Sequence, residues 1–234
     1  MATPLDRSLI SGLPAFSGLA GGDLDSILAA AGSSRFGKDS EVFAQGTEAD
    51  RFFLLLAGHI RVVRTTPDGE QVIARYINEG ELFGIAVAMG QKAYPATAVA
   101  AVDCVVLAWP NAVWSGLRSR FPAFGANAYQ TIGARLQETQ SRVVEMSTQQ
   151  VEQRIAGAVL RLVTQSGRKT GEGIEIDFPI SRQDIAEMTG STLHTVSRLL
   201  SAWEDQGIVR SGRQRIVVAD PHALLLIAEN RRKR

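Results

Sequence analysis

Between Phe36 and Trp109 the apolar residues gather in short β-rich runs: Phe52 to Leu56, His59 to Arg64, Gln71 to Ile77, Ala96 to Val102 and Val105 to Trp109. Gly46, Gly58, Pro67-Asp68-Gly69 and Asn78-Glu79-Gly80 punctuate them. Short runs bounded by such residues predict antiparallel strands closed into a sandwich or roll. Ahead of them, Leu24, Ile27 and Leu28 behind a cap at Asp23 predict a short amphipathic helix. After Pro122 the period lengthens. Ala128, Ile132, Leu136, Thr139 and Val143 share one stripe without a breaker, which predicts a helix of ~25 residues. That stripe has two candidate partners, the chain's own β domain or the same helix of a second copy in a parallel seam. Its narrowness and its place between two domains favour the seam. A second helix from about Gln149 to Thr164 then buries Val151, Ile155, Val159 and Leu162, and Gly167 to Gly173 forms the loop behind it.

The densest pattern lies between Ile180 and Gly207. Ser181 with Asp184 three residues on has the form of a capping box, so a helix starts at about Arg182. Gly190 ends it, and Ser191 caps a second helix that stops at Gly207. That is a helix, a turn and a helix. Val196, Leu200 and Trp203 face inward, which leaves His194, Ser197 and Arg198, at i, i+3 and i+4, on the outer face. Polar side chains near the start of such a helix suit base edges in the major groove, and the planar fork of arginine can bond guanine O6 and N7 together. Arg182 and Gln183, opening the first helix, suit phosphate. Ile208 to Val218, turning at Ser211-Gly212, reads as a hairpin wing with Arg210, Arg213 and Arg215 along it. A generic helical hairpin is the plain alternative.

The chain has 234 residues, 45% hydrophobic and 21% charged, with a formal net charge of +1. That leaves room for about two domains and a real core. Net charge alone says little about partners, but residues 1–140 carry 11 basic and 13 acidic side chains while residues 141–234 carry 14 and 11. An electrostatic partner would therefore meet the C-terminal part. The closing Arg231-Arg232-Lys233-Arg234 reads as a solvated tail. Cys104 is the single cysteine, which excludes an internal disulfide, a four-cysteine zinc site and an iron–sulfur cluster. His59, His194 and His222 have no metal-ligand spacing. Nucleophile-elbow, phosphate-loop and dinucleotide motifs are missing, so no enzymatic activity is expected. The longest apolar stretch, Ala96 to Trp109, is broken by Thr97 and Asp103 and falls short of the ~20 residues of a membrane span. Met1 to Arg7 lacks the pattern of a secretory signal, so a cytoplasmic protein without a membrane partner is expected.

The glycine-punctuated roll, the long helix and the winged helix-turn-helix together resemble the cyclic-AMP receptor protein and fumarate-nitrate regulator (CRP/FNR) superfamily of bacterial transcription regulators, over nearly the whole chain. The most specific piece is Thr192-Leu193-His194-Thr195-Val196-Ser197-Arg198, similar to the superfamily's recognition helix, Glu-x-x-Ser-Arg or Glu-x-x-Gly-Arg, with His194 in the place of the glutamate. The resemblance implies an α+β protein: an antiparallel β-roll of cyclic-nucleotide-binding type over residues 1–120, a dimerisation helix over 121–147 and a winged helix-turn-helix over 148–234. It further implies a homodimer on double-stranded DNA with palindromic TTG-like half-sites and RNA polymerase as another partner. Arg182, Gln183, Thr192, His194, Thr195, Ser197, Arg198 and Arg213 would then face the DNA. An imidazole donates as well as accepts, so His194 need not select cytosine as a carboxylate would.

In the nucleotide-binding branch, Phe-Gly-Glu followed by Arg-Ser-Ala or Arg-Thr-Ala takes the ribose and phosphate. This chain has Phe83-Gly84-Ile85 and then Tyr94-Pro95-Ala96-Thr97, and Lys92 is the only basic residue between Arg75 and Arg118. Burying a phosphodiester without its bidentate partner costs several kcal/mol, so cyclic AMP is not expected. Phe83, Gly84, Ile85, Met89, Tyr94 and Thr97 instead outline either an effector pocket for a flat apolar ligand or a filled core. The cassette from Phe83 to Thr97 and the segment Leu193 to Arg198 resemble the nitrite and nitric oxide reductase regulator (NnrR) branch. That implies a response to nitric oxide or other nitrogen oxides, denitrification genes as targets and haem as one means of sensing. His59 is the weak haem-ligand candidate, with a plain loop histidine as the alternative; no metal site is expected otherwise. Competing readings are a regulator answering another small ligand, a signal-binding module that leaves DNA alone and a cupin-type enzyme. The complete helix-turn-helix opposes the second, and the lack of a histidine and carboxylate cluster opposes the third.

Overall fold

Residues Phe52 to Leu55 are four buried apolar side chains in a row, a pattern that only a strand covered on both faces can sustain. The computed structural model describes residues 10–231 and shows what covers each face. By contacts the chain forms two units. The first holds residues 10–64 with Tyr76–Glu138, and the second holds Thr65–Arg75 with residues 139–231. The starting segment up to residue 9 and the basic end, residues 232–234, lie outside the described residues.

The strands of the roll are β1 (Gly32–Phe36), β2 (Glu41–Phe43), β3 (Arg51–Ala57), β4 (Ile60–Thr65), β5 (Gln71–Ile77), β6 (Leu82–Phe83), β7 (Thr97–Ala100) and β8 (Cys104–Pro110). They make two four-stranded sheets, ordered β1-β8-β3-β6 and β2-β7-β4-β5, with the registered pairs antiparallel. Phe53 and Leu55 join Ile60, Ile77, Phe83, Ala98 and Val106 in the core between the sheets. Phe52 and Leu54 join a second core with Leu24, Ile27, Trp109, Trp114 and Phe124. The helices α1 (Gly21–Ala29), α2 (Trp114–Arg120) and the start of α3 (Pro122–Thr148) supply that outer cover. Trp109 Nε1 donates to Ile27 O at 2.8 Å, which satisfies its one polar atom at full burial.

Three details differ from the sequence pattern. Helix α1 is capped at Ala20, and Asp23 sits inside its first turn, where a carboxylate favours the positive end of the helix. Strands β1, β2 and β6 escaped the pattern because they are short or polar, Gly32-Ser33-Ser34-Arg35 being mostly exposed. The long helix divides its stripe. Ala128 is sealed in the outer core and Ile132 packs against it, whereas Leu136 and Val143 remain 58% and 60% exposed.

Gly84 sits between two cores. Its φ of +64° lets Phe83 enter the core between the sheets and Ile85 the outer one. A Cβ there would lie 2.9 Å from the Phe53 ring and 3.1 Å from Phe43. Gly84→Ala should therefore cost about 1–2 kcal/mol in left-handed backbone and about 1–3 kcal/mol in overpacking. Denaturant unfolding of the roll, followed by tryptophan fluorescence, checks this.

The second unit contains α4 (Val151–Ser166), β9 (Gly167–Thr170), β10 (Gly173–Ile176), α5 (Arg182–Thr189), α6 (Leu193–Asp205), β11 (Val209–Gly212), β12 (Arg215–Val218) and α7 (Pro221–Ala228). Ile155, Val159 and Leu162 of α4 are buried as the period predicts, but Val151 only partly. Gly167 to Gly173 is part of a hairpin instead of a loop. Its strands complete a sheet ordered β11-β12-β10-β9, and β9, Gly167-Arg168-Lys169-Thr170, carries no apolar residue to announce it. The wing turns at Arg213-Gln214, two residues later than the glycine suggests. Gly212 pairs with Arg215, and Gln214 takes the left-handed φ of +56°. No helix among the described residues is long and apolar enough to cross a membrane.

Candidate functional site

The helix-turn-helix is built by caps. Ser181 Oγ accepts from Asp184 N at 3.0 Å, and Asp184 Oδ2 accepts from Ser181 N at 2.6 Å, so two free N–H groups of α5 are satisfied reciprocally. Gly190, at φ +59°, closes α5 with its N–H on Ala186 O. Helix α6 opens on Thr192, whose Oγ1 accepts from Thr195 N at 3.2 Å. Ser191, the expected cap, has its hydroxyl buried without a partner among the described residues, one position too early to reach that N–H.

Helix α6 is anchored from below. Val196, Leu199, Leu200 and Trp203 are buried, and Trp203 Nε1 donates to Glu152 Oε1 at 3.1 Å. This fixes the opposite face. Thr192, His194 and Arg198 are exposed, and Thr195 and Ser197 are half-buried beside them. His194 and Arg198, one turn apart, make no hydrogen bond or ion pair with another described residue. Thr195 Oγ1 lies 3.0 Å from Thr192 Oγ1, so both hydroxyls serve the cap. At the start of α5, Gln183 is exposed and donates to Glu187 Oε1 at 2.9 Å. Arg182 is taken up elsewhere. Its Nη2 donates to Ser211 Oγ at 2.7 Å and lies 3.7 Å from Glu204 Oε2.

The wing arginines divide in the same way. Glu172 accepts from Arg210 Nη1 and from Arg215 Nη2, both at 2.8 Å, and Arg215 also reaches Glu175 at 2.9 Å. The hydrogen bond from Arg215, with the charge of Arg210 beside it, holds the Glu172 carboxyl below its usual range. Arg213, at the tip, is exposed and has no such partner among the described residues. Sequence reasoning missed Glu172, Glu175, Glu204 and Ser211, because an acid on a hairpin or at a helix end reads as ordinary surface.

The structure separates the residues of the sensor cassette. Phe83 and Tyr94 meet between the sheets, where Phe43 stacks on Tyr94 at 3.9 Å and Phe53 on Phe83 at 5.1 Å. Their own rings fill that space. Tyr94 donates to Arg51 O at 2.7 Å and accepts from Arg51 N at 3.1 Å, and burial pushes its hydroxyl up to about 12. Ile85 lies in the outer core, Met89 is 44% exposed, and Thr97 Oγ1 accepts from Gln45 N at 3.0 Å.

His59, the haem-ligand candidate, is half-buried with its Nδ1 3.1 Å from Asn78 Oδ1, and Glu79 Oε1 accepts from the neighbouring Gly58 N. Cys104 donates its thiol to His59 O and Val102 O, and burial pushes it up, away from the thiolate an iron takes. Among the described residues no three His, Cys, Asp or Glu side chains gather to hold a metal ion.

Comparison with known proteins follows the same division. Residues 34–121 match the family model of the cyclic nucleotide-binding domain, and residues 153–227 match that of the Crp-like helix-turn-helix domain. The cyclic AMP receptor protein of Thermus thermophilus is 28% identical over 219 residues, 94% of this chain and 98% of its own length. The nitrogen fixation regulation protein FixK of Azorhizobium caulinodans is 26% identical over 191 residues, 81% of this chain and 76% of its own. A solved CRP-family transcriptional regulator from Thermus thermophilus superposes with a TM-score of 0.72 at 25% identity, covering 84% of this chain and 96% of that one.

Proposed function

The chain belongs to the CRP/FNR family of DNA-binding transcription regulators, and on that premise we propose that it works as a homodimer on palindromic TTG-like half-sites, answers nitric oxide or related nitrogen oxides, and controls denitrification genes. One observation carries the DNA reading: His194 and Arg198 stand free on the outer face of a helix whose inner face is locked by Val196, Leu200 and Trp203. Arg198 takes guanine through its fork. Thr192, His194, Thr195 and Ser197 line the same groove, and Gln183 and Arg213 meet phosphate. The exposed Leu136 and Val143 support the dimer, which sets two recognition helices about one DNA turn, ~34 Å, apart.

The nitrogen-oxide part rests on the cassette and recognition-helix resemblance alone. Cyclic AMP, the ligand in the name of the Thermus relative, is not the expected effector of this chain. Ile85 is buried in an apolar core where a ribose-binding carboxylate would stand, and Tyr94 is stacked on Phe43. An effector shifts DNA affinity only by the difference between its own affinities for two states. Nitric oxide added anaerobically should therefore change the DNA dissociation constant about 5- to 150-fold, the usual range of such coupling. Specific, salt-dependent binding that ignores nitric oxide would remove the nitrogen-oxide part and keep the regulator. Failure to bind any palindrome specifically would remove both. In a haem arm of the same titration, the lack of a stoichiometric Soret shift would remove haem as the means of sensing and leave the regulator.

A further inference from the structure

Three elements of the DNA-binding unit meet at one small cluster. Arg182 begins α5, Glu204 stands near the end of α6, and Ser211 lies in the first wing strand, β11. Glu204 Oε1 accepts from Ser211 N at 2.5 Å, Arg182 Nη2 donates to Ser211 Oγ at 2.7 Å, and the same Nη2 is 3.7 Å from Glu204 Oε2. Both charged side chains are about one-third exposed, at 33% and 30%, so they retain some charge–charge attraction without full burial. The amide of Ser211 lies three residues from the Gln214 turn and has Glu204 as its acceptor, on the recognition helix itself.

From this the geometry points to Arg182 and Glu204 as positioning residues: together they set the angle of the wing, and so the place of Arg213, relative to the recognition helix. The inference rests on the DNA-binding reading above and changes the role of Arg182 within it. An arginine on phosphate acts by its charge, whereas this one acts through Ser211. Glu204 makes the two roles separable, because they predict opposite signs. A carboxylate close to the DNA face repels phosphate, so its removal by charge alone would tighten binding. If Glu204 holds the wing, its removal weakens binding.

The experiment uses the full-length protein and a palindrome on which the wild type binds specifically; a wild type with no specific site would defeat the regulator reading, not this one. Glu204→Ala and Arg182→Ala should each weaken binding about tenfold, the scale of a lost charge-assisted hydrogen bond. The double variant should be no weaker than either single one. Glu204→Gln, which keeps an acceptor for the Ser211 amide and loses the charge, should recover most of the affinity, and a purely electrostatic or destabilising effect would not follow that order. Arg182→Ala should leave the salt slope unchanged. A slope flattened by about 1.8 for the dimer, two phosphate contacts at about 0.9 each, would overturn the proposal, as would tighter or unaltered binding in Glu204→Ala. Ser211→Ala gives a milder variant should either charge change impair folding. It keeps the amide, so it should weaken binding less than Glu204→Ala, and an equal or larger loss would also count against the assignment.

Discussion

Arg198→Ala should abolish discrimination between the palindrome and random DNA while leaving salt-dependent binding to any duplex. The guanidinium stands exposed on the outer face of α6 with no internal partner among the described residues, so its truncation removes a DNA contact without breaking a fold contact. A bidentate arginine–guanine pair contributes about 1–3 kcal/mol of discrimination, and a symmetric dimer loses two, about 2–6 kcal/mol in all. That is roughly 30-fold to more than 10⁴-fold in the specificity ratio. Competition between the labelled palindrome and unlabelled random duplex measures it. Unchanged discrimination would mean that α6 does not read bases.

The second large effect concerns the long helix. Leu136→Glu with Val143→Glu places like charges along the exposed row, and in a symmetric parallel seam each glutamate faces its own copy. The protein should sediment as a monomer. Half-site binding would then lose the effective concentration that tethering supplies, about 10²- to 10⁴-fold in affinity. Both positions are more than half exposed in the single chain, so unfolding of the monomer should change little. A variant that still sediments as a dimer would place the seam elsewhere.

How much of this was legible depends on what each residue touches. The capping box of Ser181 and Asp184, the inward row Val196, Leu200 and Trp203, and the outward placing of His194 and Arg198 follow from spacing alone, because a helix converts spacing directly into faces. The polar hairpin at Gly167 to Gly173 was missed for the opposite reason. Its strands are held by backbone pairing, β9 with β10 and β10 with β12, and its side chains, Arg168, Lys169, Glu172 and Glu175, look like loop residues. The fate of the arginines was equally hidden. Arg182, Arg210, Arg213 and Arg215 are one residue type on one face of the sequence argument. Only long-range neighbours, Glu172 and Glu175 across the sheet and Glu204 from another helix, separate the occupied three from the free one. The cassette shows the same limit: Phe83 and Ile85 are two residues apart, yet the left-handed Gly84 sends them into different cores.

The self-neutralised wing carries a consequence for how the molecule meets ionic change. With Arg210 and Arg215 already matched by Glu172 and Glu175, few counterions are released when the wing approaches a duplex. Occupancy of a duplex therefore drifts less with salt concentration than it would for a wing with three unmatched cations. The wing's share of that salt dependence is then left to Arg213.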